Sequence, residues 1–212
     1  HILHISSGDE LKLIAKNKDL ISAEVTPQHL FFHSPDCYDN LGTLAQMNPP
    51  IRGKKHQDNL WKAIKNNIVD IIGSDHAPHT LEEKKKQYPN SPSGMTGVQT
   101  LVPILLDFVN KDKLSIFDLV KFTSTNPSRY FKIKDKGLIK VGYDADFTIV
   151  DLNKTRVIEN NWIASKAGWT PYDGLRVKGW PILTIINGKV IMREDQVLGK
   201  PEGKKFIFLD TI

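Results

Sequence analysis

The run Ile68-Val69-Asp70-Ile71-Ile72-Gly73, followed at once by Ser74-Asp75-His76-Ala77-Pro78-His79, constrains this chain more than any other feature. A near-continuous apolar run reads as a parallel strand buried on both faces, and here an acid and two histidines appear where that strand leaves the core. In α/β barrels this end of the strands carries the active site. Asp75 offers hard oxygen ligation or proton transfer, and the imidazoles of His76 and His79 offer metal ligation or hydrogen bonding near neutral pH. Pro78 stiffens the turn between them. A solvated loop explains an isolated Asp-His pair well enough, but it explains this run at a strand end poorly.

Elements upstream follow an alternating pattern. Ile2-Leu3-His4-Ile5 reads as an apolar strand, Asp9 to Lys18 as a helix with Leu11, Ile14 and Ala15 on one face, and Ile21 to Val25 as a second strand. The segment from Cys37 to Lys55 is irregular, punctuated by Gly42, Pro49-Pro50 and Gly53. His56 to Asn66 is a helix leading into the strand at Ile68. Strands alternating with helices imply βαβ units and a parallel sheet, hence an α/β fold. A polar loop from His79 to Ser93 is long enough to be functional. Val98 to Val109 and Ile116 to Ser124 read as further helices, with Phe117 and Leu119 expected in the core.

Composition shifts near residue 136 towards short β-type runs: 137–141, 145–150, 156–158 and 183–191, the last containing an Asn187-Gly188 hairpin signal. Residues 136–212 are therefore expected to form a small β-rich domain behind an α/β portion over 1–135.

The 212 residues carry a formal net charge of +5, 40% hydrophobic and 25% charged residues, which is the composition of an ordinary globular protein. The lysine clusters at 54–55, 84–86 and 204–205 lack interleaved aromatics, so solvated surface is expected and nucleic acid is not. No stretch approaches the roughly 20 apolar residues of a membrane span. A lone Cys37 excludes an intramolecular disulfide and fits a reducing, cytoplasmic setting. The chain begins at His1, inside an apparent strand, and reads as the C-terminal part of a longer protein.

Candidate chemistry gathers at strand ends. Residues three apart on a strand face opposite ways, so His1 and His4 are not expected to serve one metal together, whereas His4 and Asp75 could meet in a shared mouth. His29 also ends a strand, and lining the pocket and packing are equal readings for it. His33 and His56 read as solvated. Pro49-Pro50 would hold Asn48, whose amide suits an amide or imide ligand, and Ser93-Gly94 could present backbone N–H groups. Ordinary turn chemistry accounts for these last two segments equally well.

Together these residues resemble the cyclic amidohydrolases, most closely class I dihydroorotase. The motifs that carry the likeness run in order: His4-Ile5-Ser6, Glu24-Val25-Thr26-Pro27-Gln28-His29-Leu30, Met47-Asn48-Pro49-Pro50-Ile51-Arg52, Ser74-Asp75-His76-Ala77-Pro78-His79-Thr80-Leu81-Glu82-Glu83-Lys84, Ser93-Gly94, and Gly137 to Phe147. The resemblance implies the C-terminal portion, strands six to eight, of a metal-dependent (β/α)8 barrel plus a small β-rich domain. It makes His4 and Asp75 zinc ligands, Asp75 also the general acid/base, and Asn48, His79, Ser93 and Gly94 the residues that hold dihydroorotate. One or two Zn2+ ions per complete site would activate water for attack on a ring amide carbonyl, interconverting dihydroorotate and carbamoyl aspartate.

The family's strand-one His-x-His pair, its bridging strand-four residue, its strand-five histidine and its substrate-binding Arg would lie upstream of His1. By this likeness the chain carries part of an active site, needs the N-terminal barrel half, and is inactive alone. Gln28, where many relatives have histidine, is expected to be a subfamily difference. A homo-oligomer, or assembly with aspartate transcarbamoylase, is the implied protein partnership. Two other readings stay open: a hydantoinase or allantoinase, and a non-catalytic scaffold subunit of aspartate transcarbamoylase.

Overall fold

The computed structural model describes residues 1–201 and 203–209, which divide into two compact units. The first comprises His1–Leu101 and Val157–Leu175. Its centre is β1 (Glu24–Val25), flanked on one side by the extended segment at Ile2 and on the other by β2 (Ile71–Ile72), all parallel. Register is set by Glu24 opposite Ile71 and Val25 opposite Ile72, and by the Glu24 N–H donating to the Ile2 carbonyl at 2.9 Å.

The ladders are shorter than the apolar runs that contain them. Asp70 supplies the reason: its buried carboxylate accepts from the Ala23 N–H at 2.9 Å and from the Lys18 ammonium. It thereby takes the place of a main-chain partner just before β2 begins. Ala23, Val25, Val69, Ile71 and Ile72 are nonetheless all buried, as a strand covered on both faces requires.

Helices fill the crossovers. α1 (Leu11–Lys16) buries Leu11 and Ile14 and precedes β1. Between β1 and β2 lie α2 (Pro27–Phe31), α3 (Asp36–Leu41) and α4 (Lys54–Lys65). The first turn of α2 is set by Thr26, whose side chain accepts from the His29 N–H, and by Pro27 in the first turn. Buried Gln57, Leu60, Ala63 and Ile64 recur at helical spacing along α4. Cys37, Ala45, Met47, Ile51, Met95, Ala167 and Trp169 form an apolar cluster of this unit.

The loop after His79 contains α5 (Leu81–Lys84), opened by a reciprocal Thr80–Glu83 capping box. Lys84, expected on the solvated surface with Lys85 and Lys86, is instead fully buried.

The second unit comprises Val102–Arg156 and the chain from Arg176 onward. Most of α6 (Leu101–Asn110) lies in it, followed by α7 (Ile116–Val120), a π-helical turn at Lys121–Thr125 and α8 (Asn126–Tyr130). Leu119 and Phe122 face inward, but Phe117 is 82% exposed. It stands about 200° round the helix from Leu119, on the opposite face, which overturns its expected place in the core.

β3 (Phe147–Val157), β4 (Arg176–Ile186), β5 (Lys189–Arg193) and β6 (Gln196–Val197) form one sheet in that order. The β4–β5 hairpin turns at Asn187 and Gly188, both left-handed at φ 50° and 77°, as the dipeptide predicts. Residues 137–141, expected to be β-type, belong to no strand, and Ile139 and Val141 lie open to solvent. The carbonyls at the start of this segment are taken by side chains: Lys136 accepts from Ser128 Oγ, and Gly137 accepts from Thr125 Oγ1. Among the described residues no helix is long and apolar enough to cross a membrane.

Candidate active site

Because the Ile2 segment, β1 and β2 run parallel, the residues that follow them leave at the same end. His4 follows the first and Asp75 the third, and both have left-handed backbone, φ 37° and 43°. Non-glycine residues adopt this conformation at a cost, and such positions cluster at functional sites. His4 also has a buried Nδ1 with no hydrogen-bond partner among the described residues.

Between them stands Glu24 of β1. Its carboxylate stands near the His4 N–H, feels the charges of both His4 and Asp75, and lies 3.7 Å from His1 Nε2. Burial pushes its pKa above the usual carboxylate range. The His4 N–H and charge oppose that shift, and the Asp75 charge adds to it. The carboxylate lies directly over Gly73, where a Cβ would come within 2.4 Å of Glu24 Cδ. Glu24 falls within one of the motifs that carry the likeness, with no role expected for it there. The signal was available, since an acid inside an apolar strand run needs a reason.

The other expected site residues form a wall on the segments after Asp75 and around Asn48. His79 Nε2 is 3.1 Å from the Ser93 carbonyl, an acceptor, so this nitrogen carries the proton. Gly94 packs against the same histidine. Its φ of +134° suits glycine, and a Cβ there would stand 2.4 Å from Ala77 Cβ and 3.3 Å from His79 Cδ2. The Gly94 N–H donates to the Gln46 carbonyl at 2.9 Å, while Gln46 Nε2 reaches the Ser91 carbonyl and Ser93 Oγ. Exposed Asn48 and half-buried Ser93 share a cleft of about 690 Å³ with Tyr38, Thr43, Gln46 and Tyr88. Neither His4 nor Asp75 is among the described residues lining that cleft. His79, Ser93 and Gly94 are thus in contact, Asn48 shares the cleft with Ser93, and Glu24 lies near both His4 and Asp75.

The remaining histidines sort by their partners. His29, for which lining and packing were equal readings, is buried and braced. Its Nε2 donates to the Pro49 carbonyl at 3.0 Å, which leaves Nδ1 to accept from Thr26 Oγ1 at 2.8 Å. Burial lowers its pKa to about 4, so the ring is neutral, and it fixes the residue after Asn48. His76 accepts the Gly97 N–H at Nδ1, 3.1 Å away, and burial lowers its pKa. His56, expected to be solvated, accepts the Gly8 N–H at 3.0 Å. His33 lies 3.7 Å from the Asp36 carboxylate. Gln28 is fully buried, and its Nε2 donates to the Ser74 carbonyl beside Asp75.

A metal suits part of this arrangement. The unpartnered His4 nitrogen and the Asp75 carboxylate are suitable donors. No group of three or more His, Cys, Asp or Glu among the described residues could hold an ion, so the pair fits as a fraction of a ligand set.

The amidohydrolase family model matches residues 1–191. The chain belongs to the amidohydrolase family. Among curated proteins it is 45% identical over 208 residues to a dihydroorotase from Pyrococcus furiosus, covering 98% of this chain and 48% of that protein. A dihydroorotase from Methanosphaera stadtmanae is 41% identical, with 93% and 46% covered. The chain thus spans about half the length of the curated relatives it matches. Among solved structures, L-hydantoinase from Arthrobacter aurescens superposes with a TM-score of 0.88 at 30% identity, over 93% of this chain and 46% of that one. Dihydropyrimidinase from Brevibacillus agri gives 0.85 at 29%, over 93% and 45%. The α/β fold, with its parallel strands, is accordingly a portion of an amidohydrolase barrel.

Proposed function

We propose that this chain carries part of the active site of a dihydroorotase, a hydrolase of a cyclic amide C–N bond that interconverts dihydroorotate and N-carbamoyl-L-aspartate. One observation carries the reading. His4 and Asp75 leave parallel segments on either side of β1 at the same end, each in left-handed backbone, with Glu24 between them. The identity to dihydroorotases across 98% of the chain supports this substrate.

In this reading His4 and Asp75 are two of the ligands to zinc, the rest coming from residues outside this chain. Zinc, when bound, polarises the ring carbonyl and lowers the pKa of water. Asp75 accepts the proton of the attacking water and returns it to the ring nitrogen as the C–N bond breaks. The His79 imidazole is held by the Ser93 carbonyl so that one edge faces the substrate, and Asn48 supplies a donor and an acceptor from the cleft wall. Gly94 lacks a side chain that would crowd the ring beside His79. The reading places the protein in the cytoplasm, self-associated or assembled with aspartate transcarbamoylase. It treats residues 136–212 as the family's small β-rich domain, set after the barrel portion 1–135.

The TM-score of 0.88 to a hydantoinase favours a second reading, in which the ring is a hydantoin or a dihydropyrimidine. The test is ring-opening absorbance with dihydroorotate, hydantoin and dihydrouracil, using the full-length protein that contains this chain, with and without zinc. Asp75→Asn is measured beside it, because asparagine tolerates the left-handed backbone at this position. Zinc-dependent turnover of dihydroorotate, lost by about 10²–10⁴-fold in Asp75→Asn, is the expected result. Turnover of hydantoin alone would select the second reading, and no turnover of any ring by folded, zinc-loaded protein would leave a scaffold.

A further inference from the structure

Lys84 is the most heavily buried charge of the first unit, with none of its surface exposed. Its ammonium donates to two main-chain carbonyls, those of Gln46 and Pro92, each at 2.8 Å, and lies 5.9 Å from the centre of the Trp169 ring. Among the described residues no carboxylate answers it, and burial alone lowers its pKa, to about 8. Desolvating an ammonium is costly, and a methionine would fill a similar volume without that cost. What the ammonium adds is a link between two carbonyls.

Those carbonyls belong to the two segments that carry the proposed substrate contacts. Gln46 precedes Asn48 by two residues, and its carbonyl also accepts from the Gly94 N–H. Pro92 immediately precedes Ser93. The Lys84 main chain makes the same connection, since its carbonyl accepts from Thr43 Oγ1 on one segment and from Ser91 Oγ on the other. The 43–48 and 91–94 segments are therefore tied through one residue, from its backbone and from its side chain.

We propose that Lys84 is a positioning residue that sets the spacing between Asn48 and the Ser93–Gly94 corner, and with it the orientation in which the cleft accepts a ring substrate. This rests on the reading of the preceding subsection and adds to it a residue that touches no substrate. Its effect is on binding geometry, so it falls on KM and not on the chemistry at Asp75.

The experiment uses the full-length, zinc-loaded protein and Lys84→Met. KM for dihydroorotate is expected to rise at least tenfold while kcat changes less than threefold, with metal content unchanged. Lys84→Arg, which keeps a cation and several donors, should recover part of the loss. Hydrogen exchange supplies a readout independent of turnover: in Lys84→Met the Gly94 amide loses protection at least tenfold, while amides of α4 keep theirs. Should Lys84→Met not accumulate as folded protein, Lys84→Gln, which retains N–H donors, is expected to give the same pattern at smaller amplitude. Unchanged KM together with unchanged Gly94 protection would overturn the proposal, as would a proportional fall of activity and folded fraction. If wild type opens hydantoin and not dihydroorotate, the substrate reading fails, and the KM for hydantoin then tests Lys84. If wild type opens no ring, Gly94 exchange alone decides.

Discussion

Glu24 of β1 and Gly73, the residue after β2, meet in such a way that the carboxylate of one fills the space a side chain of the other would need: a Cβ on Gly73 would lie 2.4–2.6 Å from the Glu24 carboxyl group. Gly73 thus leaves room for a half-buried acid between His4 and Asp75. The colliding atoms are the far end of a flexible side chain, so Gly73→Ala is expected to cost the fold no more than about 1 kcal/mol by displacing them. The displaced carboxylate moves away from the His4 N–H, and kcat/KM in the full-length protein should drop at least tenfold. Urea unfolding and ring-opening rates measured on the same preparation check this, and full activity in the variant would show that the placement of Glu24 is immaterial.

Gly94→Ala meets harder neighbours. The backbone region at φ +134° is strained for any L side chain, by about 1–3 kcal/mol, and the Cβ of Ala77, 2.4 Å away, has no rotamer with which to retreat. Overpacking adds roughly 1–3 kcal/mol. The summed loss should be visible as a lowered denaturant midpoint, with the Ser93 and His79 amides less protected from exchange. A wild-type midpoint would refute the strain argument.

His29 makes stability depend on pH with a definite sign. Its folded pKa is about 4, below the unfolded value of about 6.5. Between these values the unfolded chain binds a proton that the folded chain refuses, so stability is full above about pH 6.5 and falls as the pH drops towards 4. The integrated effect is up to about 3 kcal/mol. Carboxylates titrate in the same range, so the relevant quantity is the difference between wild type and His29→Gln. That difference should shrink as pH falls from 7 to 4.5 in a series of urea titrations, and a constant difference would contradict the assignment.

Asp70→Ala removes the acceptor shared by the Ala23 N–H and the Lys18 ammonium. The carboxylate is buried, but Lys18 is about a quarter exposed, which weakens the ion pair and leaves the main-chain bond as the larger loss. An expected cost of about 1–3 kcal/mol follows, measurable by guanidinium unfolding. A loss below a few tenths would mean that water replaces the carboxylate at β1.

Much of this arrangement could be read before any coordinates. The Ser74–His79 run marked the end of a buried strand, and Asn187-Gly188 marked a hairpin, because in both cases a local conformational demand names its residues. Lys84 was illegible for the opposite reason. Its neighbours Lys85 and Lys86 are ordinary surface lysines, and only the return of Gln46 and Pro92 to the same point makes one of the three a buried donor. Phe117 misled because a capped helix of five residues has an outer face too, and hydrophobicity alone does not say which side is inward. The apolar residues of 137–141 resembled a strand until the Ser128 and Thr125 hydroxyls claimed the carbonyls at its start. Glu24 stood in plain view, and its meaning came from Gly73, nearly fifty residues away in sequence.

The hydrogen bond from Ser91 Oγ to the Lys84 carbonyl has a consequence for how this surface can change. It closes residues 85–90 into a compact loop whose two ends are fixed together, with Tyr88 at the rim of the cleft and the Gln46 carbonyl beneath. Because its ends are held at Lys84 and Ser91, lengthening or shortening that tip is expected to change the cleft wall at Tyr88 and to leave the bonds from Lys84 to the Gln46 and Pro92 carbonyls in place. Residues 85–90 hold none of the groups that the proposed function gives to the chemistry, and of them Tyr88 and Pro89 line the cleft; in that reading, a library restricted to these six positions would vary the cleft wall while keeping the proposed metal ligands and substrate contacts.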